Sequence, residues 1–112
     1  MSSPLTIIRQ GNRPGWLATV DMHTGHLHVN GARWDALDPV HRRFILLHEE
    51  AHYHTKNPDE LLADCLAFSA FIGEGHHPRQ AVHALQAVLN PRLPEHQLRL
   101  SIMGRRAARH LT

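Results

Sequence analysis

The sequence holds a single cysteine, Cys65, so no disulfide can form within the chain. That excludes a disulfide-stapled secreted scaffold and suits a reducing compartment. Lysine is just as scarce. Lys56 is the only one, and the remaining basic residues are arginines. Net charge is also small, +2 with histidine neutral, which gives no argument for nucleic acid as a partner. The local cluster Arg105, Arg106, Arg109 and His110 reads as a solvated helix end whose cations complement the helix dipole. Long apolar runs are missing too. The longest, Phe44 to Leu47, is far too short to span a membrane. The first ten residues lack a basic stretch followed by an apolar one, so no signal peptide is expected. The expectation is a soluble, cytoplasmic protein with no membrane partner.

What remains fits one domain. A length of 112 residues leaves no room for a second core, and 42% apolar with 20% charged residues is ordinary globular composition. The pattern changes near Asp38. Residues 1–37 read as a strand region and residues 38–112 as a helical one. Leu5 to Arg9 is a short β-branched run, and Trp16 to Met22 follows a turn at residues 11–15. Thr24-Gly25 marks a hairpin. His26 to Asn30 alternates, with Leu27 and Val29 on one face, and Asn30-Gly31 is another turn signal. Two or three short antiparallel strands are expected.

Helix signals follow. Asp38-Pro39 is an N-cap with proline at the first helical position, opening a helix to about His54 with Phe44, Leu47 and Ala51 on one stripe. Asn57 to Glu60 has capping-box spacing and starts a helix to about Ile72, with Leu61, Cys65, Phe68 and Ile72 inward. A third runs from about Pro78 to Leu89, with Val82, Leu85 and Leu89 inward. In the segment Pro94 to His110, Leu98, Leu100 and Ile102 alternate like a strand, whereas Leu98, Ile102 and Arg105-Arg106 suit a helix, and helix is favoured although Gly104 weakens it. The fold class is therefore α+β: a small N-terminal sheet packed on three to four helices.

Twelve histidines are many for this length, and two of them form a pattern. His48-Glu49-Glu50-Ala51-His52 matches H-E-x-x-H. Residues four apart on a helix share a face, so both imidazoles aim at one spot with Glu49 beside it. That is the geometry of metal-assisted hydrolysis, with zinc activating a water and Glu49 as the base. Composition alone gives roughly 0.05 chance matches, so the motif needs support. The support is its position on a core helix, where buried polar groups need partners and a shared metal supplies one.

A third ligand is required. The metzincin spacing fails, because Thr55 and Pro58 stand where its Gly and its last ligand would be. In an antiparallel helix hairpin turning near Lys56, Glu60 falls opposite His52 and Asp64 opposite His48. Either carboxylate could close the shell while the other orients a ring as an acceptor. Glu60 also has a plain role as the capping-box partner of Asn57. His54, His76 and His77 lie near helix ends and stay open as ligands. For an electrophile facing the developing oxyanion, Tyr53, His54, His76, His77 and Arg79 are candidates. Tyr53 is equally well explained as a half-buried packing residue.

H-E-x-x-H followed by Glu60-Leu61-Leu62-Ala63-Asp64 resembles the gluzincin metallopeptidases. The stretch from about Val29 to Leu89 is similar to minimal gluzincins and to small phage- or prophage-encoded metallopeptidase domains. That resemblance implies a minimal zincin-like fold and a zinc endopeptidase acting on peptide or protein. It implies Glu60 as third ligand and Asp64 as support for a ligand histidine. It also implies an edge strand that pairs with extended substrate, for which His26 to Asn30 is the candidate. The alternative for that strand is that His26 and His28 simply face solvent. One departure is the connection from His52 to Glu60, shorter than many gluzincins use. The competing function is a non-catalytic, zinc-stabilised interaction module or phage-type regulator. A third idea is a latent enzyme whose C-terminal segment covers the metal.

Overall fold

The computed structural model describes residues 5–10 and 17–111. The expected turn at 11–15 and the start of the second strand at Trp16 lie outside them. Among the described residues the chain forms β1 (Thr6–Gln10), β2 (Ala18–Val20), β3 (His26–Asn30), α1 (Gly31–Ala36), α2 (Pro39–Thr55), α3 (Glu60–Gly73), α4 (Pro78–Val88) and α5 (Pro94–Leu111). This is the expected α+β class, with five helices rather than three or four.

The sheet is mixed, not antiparallel. Its order is β1-β3-β2, with β3 parallel to β1 and antiparallel to β2. The β2–β3 hairpin is local and follows from its turn. Asp21 Oδ1 accepts from the backbone N–H of His23 at 2.8 Å and of Thr24 at 3.2 Å. Gly25 then takes φ +75°, and a Cβ there would stand 3.2 Å from the Tyr53 ring. Glycine is needed both for the left-handed backbone and for the close approach. The place of β1 beside β3 is a tertiary choice, with no local turn to announce it.

Asn30-Gly31 is a helix start instead of a turn. Asn30 accepts from the Arg33 N–H at 3.3 Å and caps α1. The same side-chain chemistry serves both structures. Asp38 caps α2 as expected, accepting from Val40 N–H at 2.9 Å with Pro39 behind it. The helix stops at Lys56, which adopts φ 53°, ψ 34°. A non-glycine residue there costs about 1–2 kcal/mol. The Lys56 side chain is held, bonding the Met22 carbonyl and lying 3.7 Å over the Tyr53 ring. The cap of α3 is Asp59, not Asn57. Its carboxylate accepts from Leu61 and Leu62 N–H at 2.9 and 3.3 Å. Glu60 is thereby freed from a capping role. His77 caps α4 through Nδ1, accepting from Arg79 N–H at 3.1 Å.

The core gathers Leu27 and Val29 of β3, Phe44 and Leu47 of α2, Ala67 and Phe71 of α3, Ala81, Ala84 and Leu85 of α4, and Met103 of α5. Phe44 and Phe71 meet edge to face, centroids 5.3 Å apart. The α2 stripe is as expected. That of α3 is not. Leu61, Leu62, Cys65 and Leu66 are exposed, while Ala63, Asp64, Ala67, Phe68 and Phe71 face inward. The helix is turned by about one residue, roughly 100°, and this brings Asp64 inside. On α4, Ala81 and Ala84 are buried with Leu85, while Val82 and Leu89 are half-buried. Among the described residues no helix is long and apolar enough to cross a membrane.

Candidate metal centre

α2 and α3 pack as the antiparallel hairpin that the short link through Lys56 dictates. Buried alanines, Ala51 on one helix and Ala63 and Ala67 on the other, let them approach closely. His48 and His52, one turn apart on α2, are 4% and 6% exposed, with rings edge to face. Their Nε2 atoms are 3.1 Å apart. Glu60, at the first position of α3, places Oε1 2.6 Å from His52 Nε2 and 3.4 Å from His48 Nε2.

The far side of each ring fixes which atom faces the cluster. His52 Nδ1 donates to the Asn57 carbonyl at 2.8 Å, so the neutral ring has its lone pair on Nε2. His48 Nδ1 stands 2.9 Å from Asp64 Oδ1. The approach is off-line for a hydrogen bond, leaving Nδ1 with an electrostatic rather than an aligned partner. With Nδ1 protonated towards Asp64, the His48 lone pair also lies on Nε2. Three acceptors thus converge, which is repulsive unless a positive charge sits among them.

The triangle fits a metal. Ligand atoms about 2.0–2.1 Å from a tetrahedral zinc are about 3.3 Å from one another. The separations here are 2.6, 3.1 and 3.4 Å. A shift of under about 1 Å at the shortest contact completes the face. His48, His52 and Glu60 can therefore hold a metal ion, and Asp64 takes the supporting place instead of ligating through this triangle.

In the metal-free protein a proton on the histidines supplies that positive charge. Burial alone would depress His48, but the neighbouring Asp64 and Glu60 carboxylates outweigh it and push its pKa up to about 9. His52 is raised mainly by its bond to Glu60, against burial. Burial would raise Glu60 and Asp64, yet the partner histidines, with Arg99, hold both below the usual carboxylate range. Glu49 moves the other way. Its burial disfavours the charge and raises its carboxyl pKa, opposed by the two histidines.

Glu49 lines a cleft of about 250 Å³ together with His52, Glu60 and Pro58. The opposite wall is Ala18, Thr19, Val20 and Met22, that is, β2 and the residues just after it. The expected rim strand, His26 to Asn30, is instead the central strand, paired on both sides, so its backbone has no open edge. The edge beside the cluster belongs to β2. His26 is exposed and His28 bonds Gln10 at 2.9 Å. Among the described residues, none of α5 lines this cleft, so the C-terminal helix does not block it.

The candidate electrophiles are not brought there. Tyr53 packs on Gly25 under Lys56. His54 lies on another face of α2, beside Leu66 and Ala70. His76 stacks on Phe71, centroids 4.4 Å apart. His77 caps α4, and Arg79 is exposed on its first turn. α3 runs back along α2, so its C-terminal end, with His76 and His77 just beyond it, lies beside the first turns of α2, where Arg43 donates to Glu74 at 2.8 Å.

One site residue escaped the sequence reading. Arg99 of α5 is 8% exposed and donates from Nε and Nη2 to Asp64 at 2.8 and 3.0 Å. Its Nη1 donates to Glu60 Oε2 at 2.9 Å. The signal was its spacing: Arg99, Met103 and Ala107 recur every four residues and form the buried stripe of α5. Leu98, expected inward, is 49% exposed. Comparison with protein-family models, curated proteins and solved structures returned no match.

Proposed function

We propose that the chain is a zinc-dependent peptidase that hydrolyses peptide bonds, with Glu49 as general base. The observation carrying this reading is the convergence of His48 Nε2, His52 Nε2 and Glu60 Oε1 beside a cleft that Glu49 also enters. Bound zinc would supply Lewis acidity, lowering the pKa of water towards about 7 and polarising a carbonyl. His48, His52 and Glu60 would hold it, and their nitrogen and oxygen donors suit zinc. Glu49 accepts a proton on its carboxylate and returns it to the leaving amine. Its raised pKa suits both halves of that task. β2, an edge strand among the described residues, offers main-chain donors and acceptors to an extended peptide. The half-buried Glu49 carboxylate beside the cluster argues against a purely structural metal site, which has no use for a base. The exposed lone Cys65 fits a reducing, cytoplasmic setting.

The test is Glu49→Gln in zinc-loaded protein, assayed on fluorescent casein and a quenched peptide library. Metal content should stay at wild-type level while cleavage falls by about 10²-fold or more. Cleavage by the variant at the parent's rate, or undiminished cleavage in the presence of EDTA, would overturn the reading.

A further inference from the structure

We infer that Arg99 is a positioning residue, which keeps Glu60 a one-oxygen ligand and holds the His48 support in place. The inference rests on the metal-centre reading above and adds a residue to it from another part of the chain.

The geometry is a closed circuit. Glu60 turns Oε1 to the histidines and Oε2 to Arg99 Nη1, at 2.9 Å. With Oε2 occupied, only one oxygen of Glu60 is available to a metal. That matters because a catalytic centre keeps a position open, and a carboxylate swinging in both oxygens would fill it. The same guanidinium grips both oxygens of Asp64, whose Oδ1 lies 2.9 Å from His48 Nδ1. One planar group thus orients the third ligand and the acceptor behind the first.

Charge makes the same demand. Glu49, Glu60 and Asp64 bring three negative charges to one small volume. Arg99 and a divalent ion bring three positive ones, so the loaded site is neutral. Arginine is required by shape as well as sign. Its donors lie in a rigid fork that can meet two carboxylates in different directions, whereas a lysine ammonium is a point charge on a flexible stem. Asp64 and Arg99 are both buried, so neither has water as a substitute partner. Arg99 borders a recess of about 170 Å³ with Asp59, Glu60, Leu61, Glu95, His96 and Leu98, and Glu60 also lines the Glu49 cleft, which Arg99 does not. Arg99 therefore acts through Glu60 and Asp64, to which it donates, and does not itself line the cleft.

Cobalt(II) and zinc(II) binding by the full chain test this without an activity assay. Wild type should bind one equivalent with the intense visible absorption of four-coordinate cobalt. Arg99→Lys and Arg99→Ala should bind zinc about 10–100-fold more weakly. Their cobalt spectra should weaken and shift towards a higher coordination number as Glu60 brings in its second oxygen. Methylguanidinium at low millimolar concentration, entering the recess left by Arg99→Ala, should restore both properties. Circular dichroism without metal checks that each variant is folded, and if Arg99→Ala is not, Arg99→Lys alone decides. Wild-type affinity and spectrum in the folded Arg99 variants would overturn the inference while leaving the metal centre standing. Absence of metal binding by wild type would instead remove the metal centre itself.

Discussion

Asp64→Ala should destabilise the metal-free protein far more than an ordinary helix substitution. Asp64 is 2% exposed and Arg99 8%, and they share two hydrogen bonds at 2.8 and 3.0 Å. Removing one partner of a buried pair costs about 3–5 kcal/mol, because the other charge is left uncompensated. Glu60 still reaches Arg99 at 2.9 Å from its half-exposed position, which places the expected loss near the lower end, about 3 kcal/mol. Against a domain total of about 5–15 kcal/mol that is a large share. The assay is urea unfolding by circular dichroism in EDTA, where a lower midpoint at unchanged slope reports stability alone. A double-mutant cycle with Arg99→Met should show coupling of about 1–3 kcal/mol, since a buried cation with no anion is costly and a methionine is not. A loss below about 1 kcal/mol, the size of an exposed ion pair, or an additive cycle, would refute the claim that this pair is buried and structurally necessary.

The metal-free protein should also have a bell-shaped stability profile against pH. Because the folded His48 pKa is raised from 6.5 to about 9, its contribution is complete below 6.5 and is lost as pH rises through about 9. Asp64 is depressed below 3.8, so its contribution is complete above 3.8 and is lost as pH falls through the folded value. Urea midpoints measured in EDTA should peak between these limits, and a flat alkaline arm would contradict the assignment of His48. Ala67→Leu should lower the melting temperature and weaken zinc binding together. Ala67 is fully buried, overpacking costs about 1–3 kcal/mol, and the added bulk pushes α3 and its Glu60 away from α2. Normal binding alongside a lowered melting temperature would mean that the helix spacing does not set the metal geometry.

The parts of the site that were legible in the sequence are those set by helical spacing. His48 and His52 share a face at one turn's separation, and a short link through Lys56 leaves the next helix little choice but to return beside them. Glu60 and Asp64 followed from that register. Arg99 did not, because a charged residue on a buried stripe looks like a break in the stripe. The α3 stripe was misplaced for a related reason. Its apolar residues surround the helix, so hydrophobicity could not choose a face, and the demand of His48 and Arg99 for Asp64 chose it instead. Sheet order was out of reach because β1 and β3 are joined by no turn of their own. His76 and His77 were picked by nearness to helix ends, and each is used by its own neighbourhood, one stacked on Phe71 and the other capping α4.

The spacing of these contacts along the chain sets an order of assembly. His52 and Glu60 lie 8 positions apart, whereas Arg99 lies 35 positions beyond Asp64 and 39 beyond Glu60. At a synthesis rate of about 5–20 residues per second, Arg99 leaves the ribosome roughly 2–8 s after Glu60. During that interval the nascent hairpin presents its acidic trio without the arginine that later balances it. A cation captured from the surrounding solution at that stage would take over the balancing role, and the last helix would then bring Arg99 to Glu60 and Asp64 of a centre already formed.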